Sequence, residues 1–224
     1  MSPSLSNIRS VFFDLDGTLA DTAGDLAFAL NTLLKEENRP ELPFETIRPV
    51  VSHGGIALIR LGFQIEPDQA PFEELRNRLL TIYQQHIAQS TQLFPGISEL
   101  LNQLEQHDIN WGIVTNKPAW LTDPLMQALS LTDRAVTIIS GDTTKNRKPH
   151  PEPLLLACKH ADQAPNQCIY IGDAQRDIEA GNRAGMRTLV ALFGYLSKHD
   201  EPTHWGADAM INHPSEVWHW ITHW

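Results

Sequence analysis

Two carboxylates stand two residues apart in Val11-Phe12-Phe13-Asp14-Leu15-Asp16-Gly17-Thr18-Leu19. The apolar run before them, from Ile8 and Val11, reads as a short buried strand. Side chains two apart on an extended chain point to the same side, so Asp14 and Asp16 can aim at one point beyond the strand's carboxyl end. Burying both acids there is costly unless a cation sits beside them. An ordinary strand followed by an Asp-Gly turn would use the same residues. Further along, Val114-Thr115-Asn116-Lys117 offers a hydroxyl and main-chain donors suited to phosphoryl oxygens, although Asn116 would equally cap a helix after Pro118. Lys145-Asn146-Arg147-Lys148-Pro149-His150-Pro151-Glu152-Pro153 reads first as a solvated basic loop. Its prolines restrict the loop, however, so Lys148 can be held rigidly toward the strand ends, with Lys145 and Arg147 facing solvent.

Gly172-Asp173-Ala174-Gln175-Arg176-Asp177 again puts acids at the end of an apolar run. Gly172 permits close backbone approach, and Asp173 and Asp177 can both face inward from a turn into a helix. Singly, Asp173 could be a helix cap and Asp177 a first-turn acid complementing the helix dipole. Jointly, four carboxylates at one sheet edge would repel one another and raise each other's pKa. A hard divalent cation relieves that repulsion, and Mg²⁺ needs only a few carboxylates plus waters and a phosphate oxygen. Lys148 supplies the remaining positive charge.

The elements that must position these residues fall into two patterns. From about Ala20 to Ser90 the chain reads as helices alone: Thr22–Glu37, Glu45–Val51, Ile56–Leu61 and Pro71–Gln89. After Phe94-Pro95-Gly96, strands and helices alternate. Strands are expected at Ile109–Val114, Ala135–Ser140, Cys168–Ile171, Thr188–Leu192 and Ala209–Ile211. Helices are expected at Ile97–Gln106, Pro118–Leu129, Pro153–His160, Asp177–Ala184 and Ser215–Thr222. Alternation of this kind implies an α/β fold, a doubly wound parallel sheet covered on both faces. A small all-helical cap interrupts it after the first strand. The expected division is residues 1–19 and 92–224 as core and 20–91 as cap, with hinges near Ala20–Thr22 and Thr91–Pro95. Acids at the carboxyl ends of such strands stand where open α/β sheets bind ligands.

The 224 residues carry a net charge of −10, which argues against general binding to nucleic acid or an anionic membrane. A small anionic substrate is still compatible, because a few cations can be gathered in one pocket. Cys158 and Cys168 are the two cysteines and read as reduced, buried thiols. Met1 to Ser10 hold no apolar leader and no stretch is long enough to span a membrane, so a cytoplasmic protein is expected.

The ordered set Asp14-x-Asp16-Gly17-Thr18, Thr115, Lys148 and Gly172-Asp173 with Asp177 resembles the four motifs of the haloacid dehalogenase superfamily of aspartate-nucleophile phosphatases, with a Rossmann-like core. The helical insert resembles that superfamily's small cap class. Val50-Val51-Ser52-x-Gly54, Trp111-Gly112-x-Val114-Thr115-Asn116-Lys117-Pro118, Lys148-Pro149-x-Pro151-Glu152-Pro153 and His204-Trp205-Gly206-Ala207-Asp208 bring the chain near two of its groups. They are the phosphoglycolate phosphatases and, closely related, the N-acetylmuramic acid 6-phosphate phosphatases of cell-wall recycling.

The resemblance implies Asp14 as nucleophile, Asp16 as general acid and base, and Mg²⁺ on Asp14, the Asp16 carbonyl and Asp173. It also implies phosphate binding by Thr115, Asn116 and Lys148, with Asp177 orienting Lys148 or a metal-bound water. The expected substrate is a small phosphorylated metabolite, and the protein a monomer or homodimer. Asp16 argues against a dehalogenase, which needs no second acid. Thr18 argues against a sugar phosphomutase, which usually has valine there. Lys35, the one lysine of the insert, lies in a solvated-looking stretch, which argues against a phosphonate hydrolase. A pyrophosphatase would want more cations in the cap. A receiver domain would be about half as long and lack the insert. His53-Gly54-Gly55 reads either as a substrate-touching cap loop or as a simple turn. Arg48 and Arg60 are candidates for a substrate carboxylate, with a surface position the plainer expectation. The terminal Trp218–Trp224 stretch reads as a packing helix rather than a metal site built on His219 and His223.

Overall fold

The computed structural model describes residues 7–224; most of the segment read as lacking an apolar leader, residues 1–6, lies outside them. The chain opens with β1, Ser10–Phe13, followed by β2, Ala20–Asp21. Four helices come next: α1 (Ala23–Glu36), α2 (Phe44–Ile47), α3 (Gly54–Phe63) and α4 (Phe72–Gln85), with a 3-10 segment at Arg48–His53 between α2 and α3. Strand β3, Gln92–Leu93, brings the chain back. The remainder alternates: α5 (Ile97–Gln106), β4 (Asn110–Val114), α6 (Ala119–Ala128), β5 (Ile138–Ile139), α7 (Glu152–His160), β6 (Cys168–Gly172), α8 (Gln175–Ala184), β7 (Arg187–Ala191), β8 (Ala209–Ile211) and α9 (Val217–His223).

Six strands form one sheet in the order β5-β4-β1-β6-β7-β8, and every pair is parallel. β1 lies centrally, and all four of its residues are buried. Its side chains alternate between two hydrophobic layers. Phe12 packs in the cluster that contains Leu154, Ala157 and Ala180 of α7 and α8. Val11 and Phe13 join the cluster of Leu100, Leu101, Leu104 and Ile221 from α5 and α9. Helices on both faces follow from that alternation. Phe13 pairs in register with Ile113 of β4 and Ile171 of β6. Asp14, Thr115 and Asp173 therefore emerge together at the carboxyl edge of three adjacent strands.

The expected Ala135–Ser140 strand shrinks to Ile138–Ile139, because it is an edge strand with a partner on one side only. The expected Glu45–Val51 helix gives way at Arg48 to the 3-10 segment, which contains Pro49 and so lacks a donor there. Ala20–Asp21 and Gln92–Leu93 are not free linkers. They pair as an antiparallel ribbon, Ala20 with Leu93 and Asp21 with Gln92. The buried carboxylate of Asp25 ties this neck together. It accepts from the Ser90 N–H and hydroxyl (2.9 and 2.7 Å) and from the Thr91 N–H and hydroxyl (3.0 and 2.6 Å). Cys158 and Cys168 are free, buried thiols. Among the described residues, no helix is long and apolar enough to cross a membrane.

Candidate active site

Asp14 follows directly on β1 and is 3% exposed. Its N–H donates to the Ile171 carbonyl (2.8 Å), which fixes the turn at the sheet edge. Lys148, 4% exposed, reaches in from its loop. Its ammonium lies 2.8 Å from Asp14 Oδ1 and 2.8 Å from Asp177 Oδ1. It also donates to the Val114 carbonyl (2.9 Å) and the Tyr170 hydroxyl (2.7 Å). Asn116 anchors the lysine from behind: its side chain donates to the Lys148 carbonyl (3.0 Å) and accepts from the Lys148 N–H (3.1 Å). Thr115, also buried, accepts from the Lys117 N–H (3.1 Å).

Asp173 stands on the other side of Asp14. Its Oδ2 accepts from the Tyr195 N–H (2.9 Å) and the Ser52 hydroxyl (2.6 Å). Its Oδ1 is buried and has no partner among the described residues. Burial, then Asp14 and Asp177, push its pKa up to about 7. Burial also raises Asp177, against the pull of Lys148. Oxygens of Asp14, Asp173 and Asp177 all lie within 4.8 Å of one another. Three crowded carboxylates with one orphaned oxygen fit a hard divalent cation. Gly17 gives Asp173 its room: its φ is +89°, and a Cβ there would collide with the Asp173 carboxylate. At Gly172 a Cβ would strike the side chain of Asp177.

Asp16 faces a different way. Its Oδ1 accepts from the Lys117 ammonium (2.7 Å) and the Thr22 hydroxyl (2.6 Å). Burial opposes the charged form of Lys117, yet Asp16 and Tyr83 outweigh it and hold its pKa above the ordinary lysine range. The Asp16 carbonyl is 3.4 Å from the Ser52 hydroxyl. Ser52 thus bridges the carbonyl and Asp173, two of the expected metal ligands.

The helical insert meets the sheet edge through the segment around Ser52. Arg176 donates to the Ser52 carbonyl (2.6 Å) and approaches His53 Nδ1 (3.3 Å). Burial and then Arg176 lower the pKa of His53. A cleft of about 560 Å³ opens between insert and sheet edge. Its lining includes Asp14, Asp16, Thr115 and Asn116 from one side and His53, Gly54 and Gly55 from the other.

Other candidates lie elsewhere. The Thr18 hydroxyl is buried without a partner among the described residues, in an apolar crevice with Phe13, Ile97 and Leu100. Arg48 lies over the Tyr195 ring and donates to the Gly194 carbonyl, and Arg60 pairs with Glu66 in solvent. Trp205 packs beside Ile178 and Val190. Arg147, expected to face solvent, is exposed but lines the cleft. Lys117, Ser52 and Arg176 had no role in the sequence reading. Lys117 and Arg176 adjoin motif residues, and Ser52 stands in the 50–54 stretch of the resemblance, but nothing in that stretch points to Asp173 as its partner.

A family model for haloacid dehalogenase-like hydrolases matches residues 11–191. The chain is 42% identical to the N-acetylmuramic acid 6-phosphate phosphatase of Pseudomonas putida over 94% of each chain. It is 41% identical to the phosphoglycolate phosphatase of Xanthomonas campestris pv. campestris, over 94% of this chain and 95% of that one. In fold it is similar to a predicted phosphoglycolate phosphatase from Haemophilus somnus, whose crystal structure matches with a TM-score of 0.85 and 23% identity, covering 96% of this chain and 99% of that one. The chain belongs to the haloacid dehalogenase-like hydrolase family.

Proposed function

We propose that this phosphoric monoester hydrolase is Mg²⁺-dependent, acts through an aspartyl-phosphate on Asp14, and is of the phosphoglycolate phosphatase kind. The observation that supports this best is Asp14 held between Lys148 and Asp173 at the sheet edge. Asp14 attacks phosphorus in line; the bond to the ester oxygen breaks and its electron pair leaves with that oxygen. Asp16 gives the leaving oxygen a proton. It then takes one from the water that cleaves the aspartyl-phosphate, releasing phosphate and regenerating Asp14. We assign this exchange to Oδ2, since Oδ1 is engaged by Lys117 and Thr22. Thr115, Lys148 and the main chain of Asn116 steady the equatorial phosphoryl oxygens. Asp14, Asp173 and the Asp16 carbonyl would hold the ion, which supplies charge neutralisation between nucleophile and phosphate. Asp177 orients Lys148. Residues 20–91 act as a cap that excludes water and selects the leaving group, over a core of 1–19 and 92–224. A cytoplasmic location and a monomer or homodimer accompany this reading.

N-Acetylmuramic acid 6-phosphate is a second reading, favoured by the cleft of about 560 Å³. Pockets of about 300–1,000 Å³ hold drug-sized ligands, and phosphoglycolate is far smaller. The test is kcat/KM for both compounds, measured with Mg²⁺ and with chelator, on the wild type and on Asp14→Asn. Metal-dependent turnover that disappears in the variant is expected. A third phosphomonoester preferred by a wide margin overturns both substrates.

A further inference from the structure

Resting on the second of these phosphatase readings, the sugar phosphate, we propose that Arg76 and Trp120 form the leaving-group subsite. Arg76 pairs with a carboxylate carried by a sugar-sized leaving group, and Trp120 stacks against the ring. Both line the cleft that holds Asp14 and Asp16. Arg76 Nε is buried and has no partner among the described residues. The guanidinium's ion pair is made by Nη1 with Glu73, at 3.0 Å on an exposed rim. That nitrogen is closed to solvent, so a bound carboxylate would meet the guanidinium at its open edge, the Arg76 side chain being 29% exposed.

Gly55 packs beside the Arg76 stem. A Cβ there would lie 3.3 Å from Leu80 and 3.7 Å from the Arg76 stem. Trp120 is 43% exposed, unlike the buried Trp111, and stands on the opposite wall at the start of α6. A large exposed ring on a cleft wall suits stacking against the apolar face of a sugar. Asp142, which also lines the cleft, is turned onto the Ala119 N–H (2.9 Å). Arg147 on that wall is held by the Gly141 carbonyl (2.6 Å).

Helix α4 serves as a ruler. Tyr83 lies against the Lys117 ammonium, 4.6 Å from its ring centre, and that ammonium is 2.7 Å from Asp16. Tyr83 therefore marks the reacting end of the cleft. Arg76 stands two turns back along the helix, about 10 Å away. A carboxylate one carbon from the phosphate ester sits at the reacting end, beside Lys117. A carboxylate set across a hexose ring from the ester comes within reach of Arg76.

Wild type and Arg76→Met are to be compared on N-acetylmuramic acid 6-phosphate and N-acetylglucosamine 6-phosphate. These sugars differ by the lactyl ether group, which carries the carboxylate. Wild type should prefer the acid-bearing sugar over both its neutral counterpart and phosphoglycolate. Arg76→Met should lower the acid-to-neutral ratio of kcat/KM by about 10- to 100-fold, chiefly through KM, as for loss of one charge-assisted contact. Arg76→Lys should recover part of it. Trp120→Ala should raise KM for both sugars more than for phosphoglycolate. Both sugars are measured on one preparation, so any folding loss cancels in the ratio. An unmoved ratio, or a wild-type preference for phosphoglycolate, overturns the subsite. A wild type that releases phosphate from none of these compounds, nor from acetyl phosphate, with Mg²⁺ overturns instead the phosphatase reading beneath it.

Discussion

At the level of single side chains, Lys148 has four oxygens within 2.9 Å and three N–H bonds to give. It is the cation that the sequence pattern around Pro149 singles out, and Asp14 and Asp173 are legible in the same way, as acids ending apolar runs. Lys117 was not legible as Asp16's partner, because a lysine before a proline-started helix looks like an ordinary surface residue. Thr18 shows the opposite case. It stands within a motif, yet its hydroxyl is buried on the far side of the strand end without a partner among the described residues. Replacing such a hydroxyl with a methyl group removes an uncompensated desolvation cost. Thr18→Val should raise the unfolding free energy by about 1 kcal/mol in urea titration. A loss of that size would show that the hydroxyl has a partner.

Among the elements, the β2–β3 ribbon was legible only as a pair of hinges. Two residues give no alternation to read, and the partner strand is separated by the whole insert. Asp25 was likewise hidden, since a first-turn acid on an amphipathic helix has an ordinary reason to be there. In the structure it accepts four hydrogen bonds from Ser90 and Thr91. Asp25→Asn puts an NH₂ against those donors and should cost about 2–3 kcal/mol in the same titration. A cost near zero would mean the neck is held by the ribbon alone. The helices and central strands, by contrast, were readable because periods of 3.6 and 2 persist over several turns or a full buried run. The edge strand β5 is regular only over Ile138–Ile139, although the Val136 N–H donates to the Trp111 carbonyl and the Thr137 carbonyl accepts from Ile113, so part of the longer expected run still pairs with β4.

For the molecule as a whole, a chain with net charge −10 places Arg76, Lys117, Arg147 and Arg176 around one cleft. The surplus acid is concentrated in part behind the cleft, where Asp14, Asp173 and Asp177 crowd together. This crowding has a thermodynamic signature. Asp173, pushed up to about 7, keeps a proton in the metal-free native state that the unfolded chain has released above about pH 4. The native state therefore binds more protons between about pH 4 and 7, and stability falls as pH rises through that window, by up to about 1.4 kcal/mol per unit. Melting temperatures in chelator should decline from pH 5 to pH 8, and Mg²⁺ should flatten the decline. A rising profile in chelator, or one that Mg²⁺ leaves unchanged, would contradict the charge balance described for Asp173.

The neck has a further consequence. Because Ala20 and Asp21 lie directly against Leu93 and Gln92, the ends of the insert are already side by side. Cutting the chain beyond this ribbon and closing it with a short turn would leave the sheet's own connectivity untouched. The same adjacency lets a foreign helical insert be spliced between the two ribbon strands without stretching either join. The segment proposed to select the leaving group is thus an exchangeable cassette. New substrate preferences can be tried on it while the acids and lysine at the sheet edge stay as they are.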